Sequence, residues 1–229
     1  MGNELSSVKV WESINREYYV KEAFLEDVAS DEFRKPYEKA CKVVVSKIEN
    51  INKLISKDIE RAFVKDICSR VKTADSCYDK MLKKKCFPNV KYVRERLNDI
   101  AGVRAVCYFL DDVYKLADML LEDADYECMK IKDYIKKPKA SGYQSLHLII
   151  KVPVEVENGQ ISIVKVEVQL RTQAMDFWSS IEHHFIYKVQ GRDLSEYEEE
   201  FLKCSKSVQK IDKQMLKIRK KMQTAKKVV

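Results

Sequence analysis

Side chains able to do chemistry fall in four separated clusters. The densest is Lys165 to Lys188, KVEVQLRTQAMDFWSSIEHHFIYK. Its first half alternates, with Val164, Val166, Val168 and Leu170 on one side and Lys165, Glu167, Gln169 and Arg171 on the other. A period of two marks a strand with one apolar and one charged face. Only solvent, a metal or a ligand rewards a face that sets a carboxylate between a lysine and an arginine. Thr172 reads as an N-cap. Ala174, Phe177, Trp178, Ile181 and Phe185 follow at helical spacing, so the strand feeds directly into a helix carrying Asp176, Glu182 and His183. The other clusters are Arg70-x-Lys72 followed by Ser76, Lys80 and Lys83, then Asp99 with Arg104, and the stretch Lys136 to His147.

Two carboxylates at predicted strand ends, Asp99 and Glu167, suit a single Mg²⁺. Hard divalent ions take oxygen ligands, and Mg²⁺ commonly uses one or two carboxylates plus phosphate oxygens. The surrounding lysines and arginines match a polyphosphate, because phosphoryl transfer is catalysed mainly by charge neutralisation and alignment. An arginine plane or a tyrosine ring offers a stacking surface for a base. Residue types and spacing therefore indicate a Mg²⁺-dependent nucleotide enzyme without naming its reaction. His183 and His184 are neighbours on a helix and diverge, so structural or supporting roles suit them better than shared ligation. Trp178 lies on the apolar side of its helix and is assigned to the core.

The elements that must hold these groups can be read in order. Val8, Trp11, Ile14 and Tyr18 suggest a helix from about residue 5, continued or replaced near Leu25 and Val28. Ser30 and Pro36 mark the next start. Tyr37, Cys41, Val44, Ile48, Ile51 and Ile55 then alternate spacings of four and three, one long amphipathic helix. Residues 62–72 alternate as a strand, with a helix over 74–84 and a short helix over 91–98. Residues 99–102 turn into a strand over 103–109, followed by a helix over 111–122. Residues 126–135 read as a strand, 136–143 as a basic loop with Pro138 and Gly142 as breakers, and 145–152 as a further strand. Asn158-Gly159 is the strongest hairpin signal and joins that strand to the one carrying Glu167. Beyond Gly191, Leu194, Tyr197, Phe201, Cys204, Val208, Ile211, Met215, Ile218, Met222 and Ala225 form a coiled-coil-like seam that calls for packing within the chain or between subunits. The fold class is α+β: a mixed sheet of about five strands flanked by helices. One domain is expected, with helices over 5–57, a core over 63–188 and a C-terminal helix over about 193–226.

Composition narrows the class. No run approaches about 18 apolar residues, and the N-terminus has no apolar signal core, so neither a membrane span nor export is expected. The opening MGNELS fits a myristoylation pattern short enough to arise by chance. Seven scattered cysteines, odd in number and without a CxxC, read as reduced cytoplasmic thiols. No cysteine pair has zinc-ligand spacing, and His147, His183 and His184 are the only histidines. The net charge of +7 comes from one end of the chain. Lys203 to Val229 holds ten Lys/Arg against one acid, leaving 33 basic and 35 acidic residues of the chain's 43 and 36. The body is near neutral, and RNA binding is a possibility for the basic C-terminal helix alone.

The runs SRVKTADS, NDIAGVRAV, KDYIKKPKASGYQSLH, VEVQLRTQAMDFW and IEHHFIYK, in this order, resemble the synthetase domain of the RelA/SpoT family over about Phe63 to Lys188. The short chain with helices at both ends is similar to the small alarmone synthetases, most closely the RelQ type. The resemblance implies a nucleotidyltransferase-related sheet and a homotetramer. It also implies transfer of pyrophosphate from ATP to the 3′-oxygen of GTP or GDP, giving (p)ppGpp and AMP. By resemblance Asp99 and Glu167 match the metal carboxylates, with Glu167 also helping to deprotonate the acceptor hydroxyl. Arg70 and Arg104 match the arginines that sandwich adenine, and Lys72, Ser76, Lys80 and Lys83 lie where the family contacts ATP phosphates. Tyr143 matches the residue stacked on guanine, Lys139 and His147 match acceptor-phosphate and active-site contacts, and Gln169 and Asp176 sit where guanosine is held. The chain departs from the pattern at Lys83, where arginine is common, at Asp176, where asparagine is commoner, and at Gln144, which replaces an arginine seen in many small synthetases. The long relatives also carry a hydrolase with a His-Asp metal motif. All three histidines here fall in synthetase motifs, so no hydrolase activity is expected. The reading from another class is an idle RNA-binding or adaptor protein that uses the C-terminal helix.

Overall fold

A computed structural model describes residues 20–156, 159–188 and 197–226, with the side chains of 186–188 and 226 excepted. The expected helix around Val8, Trp11, Ile14 and Tyr18, Asn158 of the expected hairpin, and Leu194 with the expected start of the C-terminal helix near 193 lie outside the described residues. From residue 20 to 29 the chain is helical (α1) and buries Phe24 and Val28. Helix α2 spans Asp31–Asp58, and Ser30 caps it by accepting from the Phe33 amide at 3.3 Å. Pro36, expected to mark the helix start, lies inside α2. Lacking an N–H, it forgoes a single bond one turn from the N-terminus. The 3-4 alternation of Tyr37, Cys41, Val44, Ile48, Ile51 and Ile55 is the buried face of α2, as its spacing requires.

Five strands follow: β1 (Val64–Val71), β2 (Ala101–Cys107), β3 (Glu127–Asp133), β4 (Leu146–Glu155) and β5 (Ile161–Thr172). Helices α3 (Ala74–Lys83) and α4 (Val90–Arg96) lie between β1 and β2, and α5 (Leu110–Leu121) between β2 and β3. After β5 come α6 (Gln173–Lys188) and α7 (Glu198–Lys226). The sheet order is β1-β2-β5-β4-β3, with β2 and β5 parallel and every other pair antiparallel. The expected hairpin joins β4 to β5, and Gly159 takes the positive φ (73°) that a tight turn asks of glycine.

Register sorts the two faces. Arg70 pairs with Gly102, Gly102 with Glu167, Arg104 with Gln169, Gln169 with His147, and His147 with Lys132. Cross-strand partners share a face, so one side of the sheet carries a band of charged and polar groups. Its opposite face, built from residues such as Val103, Val166, Val168, Leu148 and Ile150, is covered by α2 and α5. Burying each Val, Ile or Leu there contributes about 1.5–3 kcal/mol. Leu148 is fully buried on β4 opposite Val168. Leu148→Ala is therefore expected to cost about 2–5 kcal/mol in urea denaturation, from lost transfer energy plus a cavity.

Two apolar stripes are left largely exposed on the single chain. On α6, Met175 and Trp178 are buried, but Phe177, Ile181 and Phe185 are 42–66% exposed. Trp178 is in the interior as expected and donates Nε1–H to the Phe201 carbonyl at 3.1 Å. On α7 the seam residues Ile211, Met215, Ile218 and Met222 are exposed, and among the described residues of that seam only Val208 is buried. The helix instead lies on the body through a line seven residues apart, Ser205, Asp212 and Arg219, because each finds a polar partner there. Those partners are the Gly142 carbonyl, the Thr172 hydroxyl at 2.7 Å, and Asp111 with Asp112.

Candidate active site

The band opens at the end of β1. Thr73 caps α3, accepting from the Ser76 amide at 3.2 Å and donating to the Ser76 hydroxyl at 2.9 Å. Ser76, Lys80 and Lys83 then recur on one face of α3, whose N-terminus favours negative charge. Lys80 and Lys72, the latter at 3.2 Å, both reach the same oxygen of Asp99. Burial pushes the Asp99 carboxyl up, but these two lysines outweigh it and hold the group below its usual range. Its other oxygen, Oδ1, is buried without a partner, an orphan acceptor that a hard cation would satisfy. Lys83 lies exposed on the next turn and makes no ion pair with either carboxylate. Glu167 lies on β5, and Asp99 lies in the turn that leads into the neighbouring strand β2, three residues before Gly102, the β2 partner of Glu167.

Glu167 sits in a closed ring of hydrogen bonds. Arg171 Nη2 donates to the Tyr143 hydroxyl at 2.6 Å and to Gln169 Oε1 at 3.0 Å. Gln169 Nε2 donates to Glu167 Oε2 at 3.0 Å, and His147 Nδ1 lies 3.3 Å from Glu167 Oε1. Tyr143 and His147 Nε2, 2.8 Å apart, close the circuit. Because the ionised Glu167 can only accept, His147 Nδ1 carries a proton towards it, and in the neutral imidazole Nε2 then accepts from the Tyr143 hydroxyl. Burial raises the Glu167 carboxyl, yet His147 and Gln169, helped by Lys132 at 4.0 Å, draw it down to about 2. Its folded value is thus depressed below the free glutamate value of about 4.3. The contribution to stability is complete above that value and is lost as pH falls through about 2. The difference in Tm between wild type and Glu167→Gln is expected to stay constant from about pH 8 to 5 and to shrink below about pH 4, read by thermal melts across that range.

A cavity of about 410 Å³ opens on this face, lined by Arg70, Gly102, Arg104, Gln169, Arg171 and His183 among others. Arg104 and Arg171 converge on Asp176 Oδ1 at 3.4 and 3.3 Å. Across the site the loop 136–144 is pinned by Asp133, which accepts from the Ile135 and Lys136 amides. It is turned back by Gly142 at φ 91°, with the Lys139 amide donating to the Tyr143 carbonyl. Lys139 Nζ lies 4.7 Å from the centre of the Tyr143 ring, and the Arg171 guanidinium lies 5.1 Å from it. The ring is a platform already contacted by cations, and a base stacking on it takes the place of one of them.

Of the residues singled out in the sequence, the structure gathers Asp99 with Lys72 and Lys80, and Glu167 with His147, Gln169 and Tyr143. Arg70 and Arg104 line the cavity. Gln144 turns away from it: it is 4% exposed and bonded to α7. The sequence reading gave no role to Arg171, which ties Tyr143, Gln169 and Asp176 together, or to Lys132 on β3. For Arg171 the signal was present, since alternation placed it on the face of Glu167. For Lys132 it was not, because nothing local told which strand would pair with β3.

Sequence and fold agree with a known family. A family model for the region found in RelA/SpoT proteins matches residues 69–192, and the chain belongs to that family. Among curated proteins, the GTP pyrophosphokinase YwaC of Bacillus subtilis is 40% identical over 154 residues, 67% of this chain and 73% of that one. The GTP pyrophosphokinase YjbM of the same organism is 31% identical over 201 residues, 88% of this chain and 93% of that one. Among solved structures, small alarmone synthetase 1 from Bacillus subtilis bound to its product pppGpp superimposes with a TM-score of 0.77 at 30% identity, covering 84% of this chain and 97% of that one.

Proposed function

We propose that the protein is a GTP pyrophosphokinase that moves the terminal two phosphates of ATP, as one pyrophosphoryl group, onto the 3′-oxygen of GTP or GDP, releasing AMP and (p)ppGpp. The observation that carries this reading is the pair of carboxylates, Glu167 on β5 and Asp99 in the turn entering the adjacent β2, both held ionised, with cations on the Asp99 side and an aromatic platform on the Glu167 side. Likeness to the B. subtilis GTP pyrophosphokinases and to the pppGpp-bound structure supports it.

In this reading Arg70 and Arg104 flank the adenine in the cavity, while Lys72, Ser76, Lys80 and Lys83 take the ATP phosphates. Tyr143 stacks on guanine, Gln169 and Asp176 hold the guanosine, and Lys139 and His147 face the acceptor phosphates and the reacting centre. Mg²⁺ suits the pair Asp99 and Glu167. The first offers an unpartnered oxygen, both are ionised, and among the described residues no cluster of three or more potential ligands competes. When bound, the ion neutralises charge on the transferring phosphates and aligns them. With its carboxyl drawn down to about 2, Glu167 stays ionised and is a weak base, which suits it to orienting the 3′-hydroxyl.

Three companion statements belong to the same proposal. The protein is a homo-oligomer, a tetramer by resemblance, which would cover the exposed stripes on α6 and α7. It works in the cytoplasm, in keeping with seven free cysteines. None of its described helices is long and apolar enough to cross a membrane. Incubation with ATP, Mg²⁺ and GMP, GDP or GTP in turn, with products resolved by chromatography, is expected to yield AMP and a 3′-pyrophosphorylated guanine nucleotide. Pyrophosphate in place of AMP would assign nucleotidyl transfer instead. No product, together with salt-sensitive RNA binding, would favour the adaptor reading through the exposed Lys206, Lys210, Lys213 and Lys217 of α7.

A further inference from the structure

The loop that carries Lys139 and Tyr143 rests on the C-terminal helix. Ser205 of α7 donates its hydroxyl proton to the Gly142 carbonyl and accepts from Gln144 Nε2 at 2.9 Å. The same amide nitrogen lies 3.4 Å from the Ser205 carbonyl, which can only accept, and this fixes which end of the Gln144 amide faces α7. Ser205, Gln144 and Gly142 are all buried. The approach leaves no room for a side chain: a Cβ on Gly142 would stand 2.7 Å from the Cβ of Ser205. Two turns further on, Asp212 accepts from the Thr172 hydroxyl, and that hydroxyl in turn accepts from the Met175 amide at the start of α6. α7 therefore touches both the loop beside Tyr143 and the junction from which Asp176 projects.

Asp133 holds the start of the loop through the amides of Ile135, Lys136 and Lys137, and between there and Gly142 the loop is held mainly by its own bonds. Lys136, Lys137, Pro138, Lys139 and Ala140 are exposed, and the internal bonds between residues 139 and 143 shape the turn without tying it to the sheet. Tyr143 lies between the anchored residues 142 and 144, so its backbone is set from the α7 side while its hydroxyl is held by Arg171 and His147 at the other end of the ring.

We infer that Ser205 and Gln144 are positioning residues of the acceptor side, a latch by which α7 sets the loop of Tyr143 and Lys139 at the working height. The assignment of that loop to the guanine nucleotide rests on the proposed function. The latch itself rests only on the contacts above. It makes α7 part of the acceptor site without any α7 side chain touching a nucleotide.

The test uses the full chain with Ser205→Ala, Gln144→Met and the double variant. Ala is a good helix former and Met matches Gln in volume, so both are expected to fold. Hydrogen exchange followed by mass spectrometry is expected to show amides of 139–144 exchanging roughly tenfold faster in each single variant, the loss of one or two buried hydrogen bonds, with β5 peptides unchanged. KM for the guanine nucleotide should rise roughly tenfold while KM for ATP holds. The double variant should fall short of the sum of the two single effects, because the Gln144–Ser205 hydroxyl bond is lost in both. Unchanged loop exchange in both variants, or equal rises in both KM values, overturns the latch. A wild type that makes no guanosine product removes the acceptor assignment, and the exchange data still decide whether α7 holds the loop.

Discussion

Glu167→Gln is expected to lower kcat about a thousandfold while the protein keeps its fold. The substitution preserves shape and can still engage His147 and Gln169. It removes one of the two negative charges that face the cationic wall. Because the Glu167 carboxyl is drawn down to about 2, it is fully charged at any working pH, and the variant loses all of that charge at once. Steady-state product formation, alongside far-UV circular dichroism and thermal melts, checks the prediction. A variant within about tenfold of wild type, properly folded, would remove Glu167 from the charge-neutralising role that the proposal assigns to it.

The second large effect belongs to Arg171. Its side chain is only 7% exposed, and one guanidinium serves the Tyr143 hydroxyl, Gln169 Oε1 and Asp176 Oδ1 while lying against the Tyr143 ring. Hydrogen bonds from a charged donor contribute about 1.5–3 kcal/mol each, and the groups left behind are half-buried acceptors. Arg171→Ala is expected to lower kcat/KM for the guanine nucleotide about a hundredfold, with a smaller effect on ATP binding measured by calorimetry. Arg171→Lys should recover little, because an ammonium cannot span three acceptors as a planar fork does. A lysine variant with near-normal kinetics would show that charge alone is needed there.

Local pattern carried the sequence reading far for elements whose burial depends on their own period. The alternation around Glu167, the hairpin after β4 and the 3-4 spacing of α2 each matched, because one face of each meets the core directly. The strand order β1-β2-β5-β4-β3 had no local signal, since the parallel β2–β5 pair joins segments about 60 residues apart. α6 and α7 show the limit from the other side. An apolar stripe reports surface that some partner covers, not which partner, and here the stripes face outward while α7 sits on Ser205, Asp212 and Arg219. Polar residues on a helix read by default as solvated, so that line was invisible.

The site was legible in identities more than in arrangement. Residue type and spacing mark the carboxylates, Lys72 and Lys80, resemblance to the RelA/SpoT synthetases gives them and His147 their expected roles, and the match over 69–192 establishes the family. The ring through Arg171 depends on side chains from β4, β5 and the loop before β4 meeting at 2.6–3.3 Å, which no spacing along the chain encodes. Gln144 illustrates the same point. Sequence resemblance marks it as a departure at a position where many relatives carry an arginine, and only the structure shows it turned onto α7.

The measurement that bears most directly on the account follows the β-phosphate of ATP. With ATP labelled at that phosphate, GDP or GTP as acceptor and Mg²⁺ present, the label is predicted to move to the guanine nucleotide with unlabelled AMP released in equal amount. Label recovered in free pyrophosphate or retained in ADP would contradict pyrophosphoryl transfer.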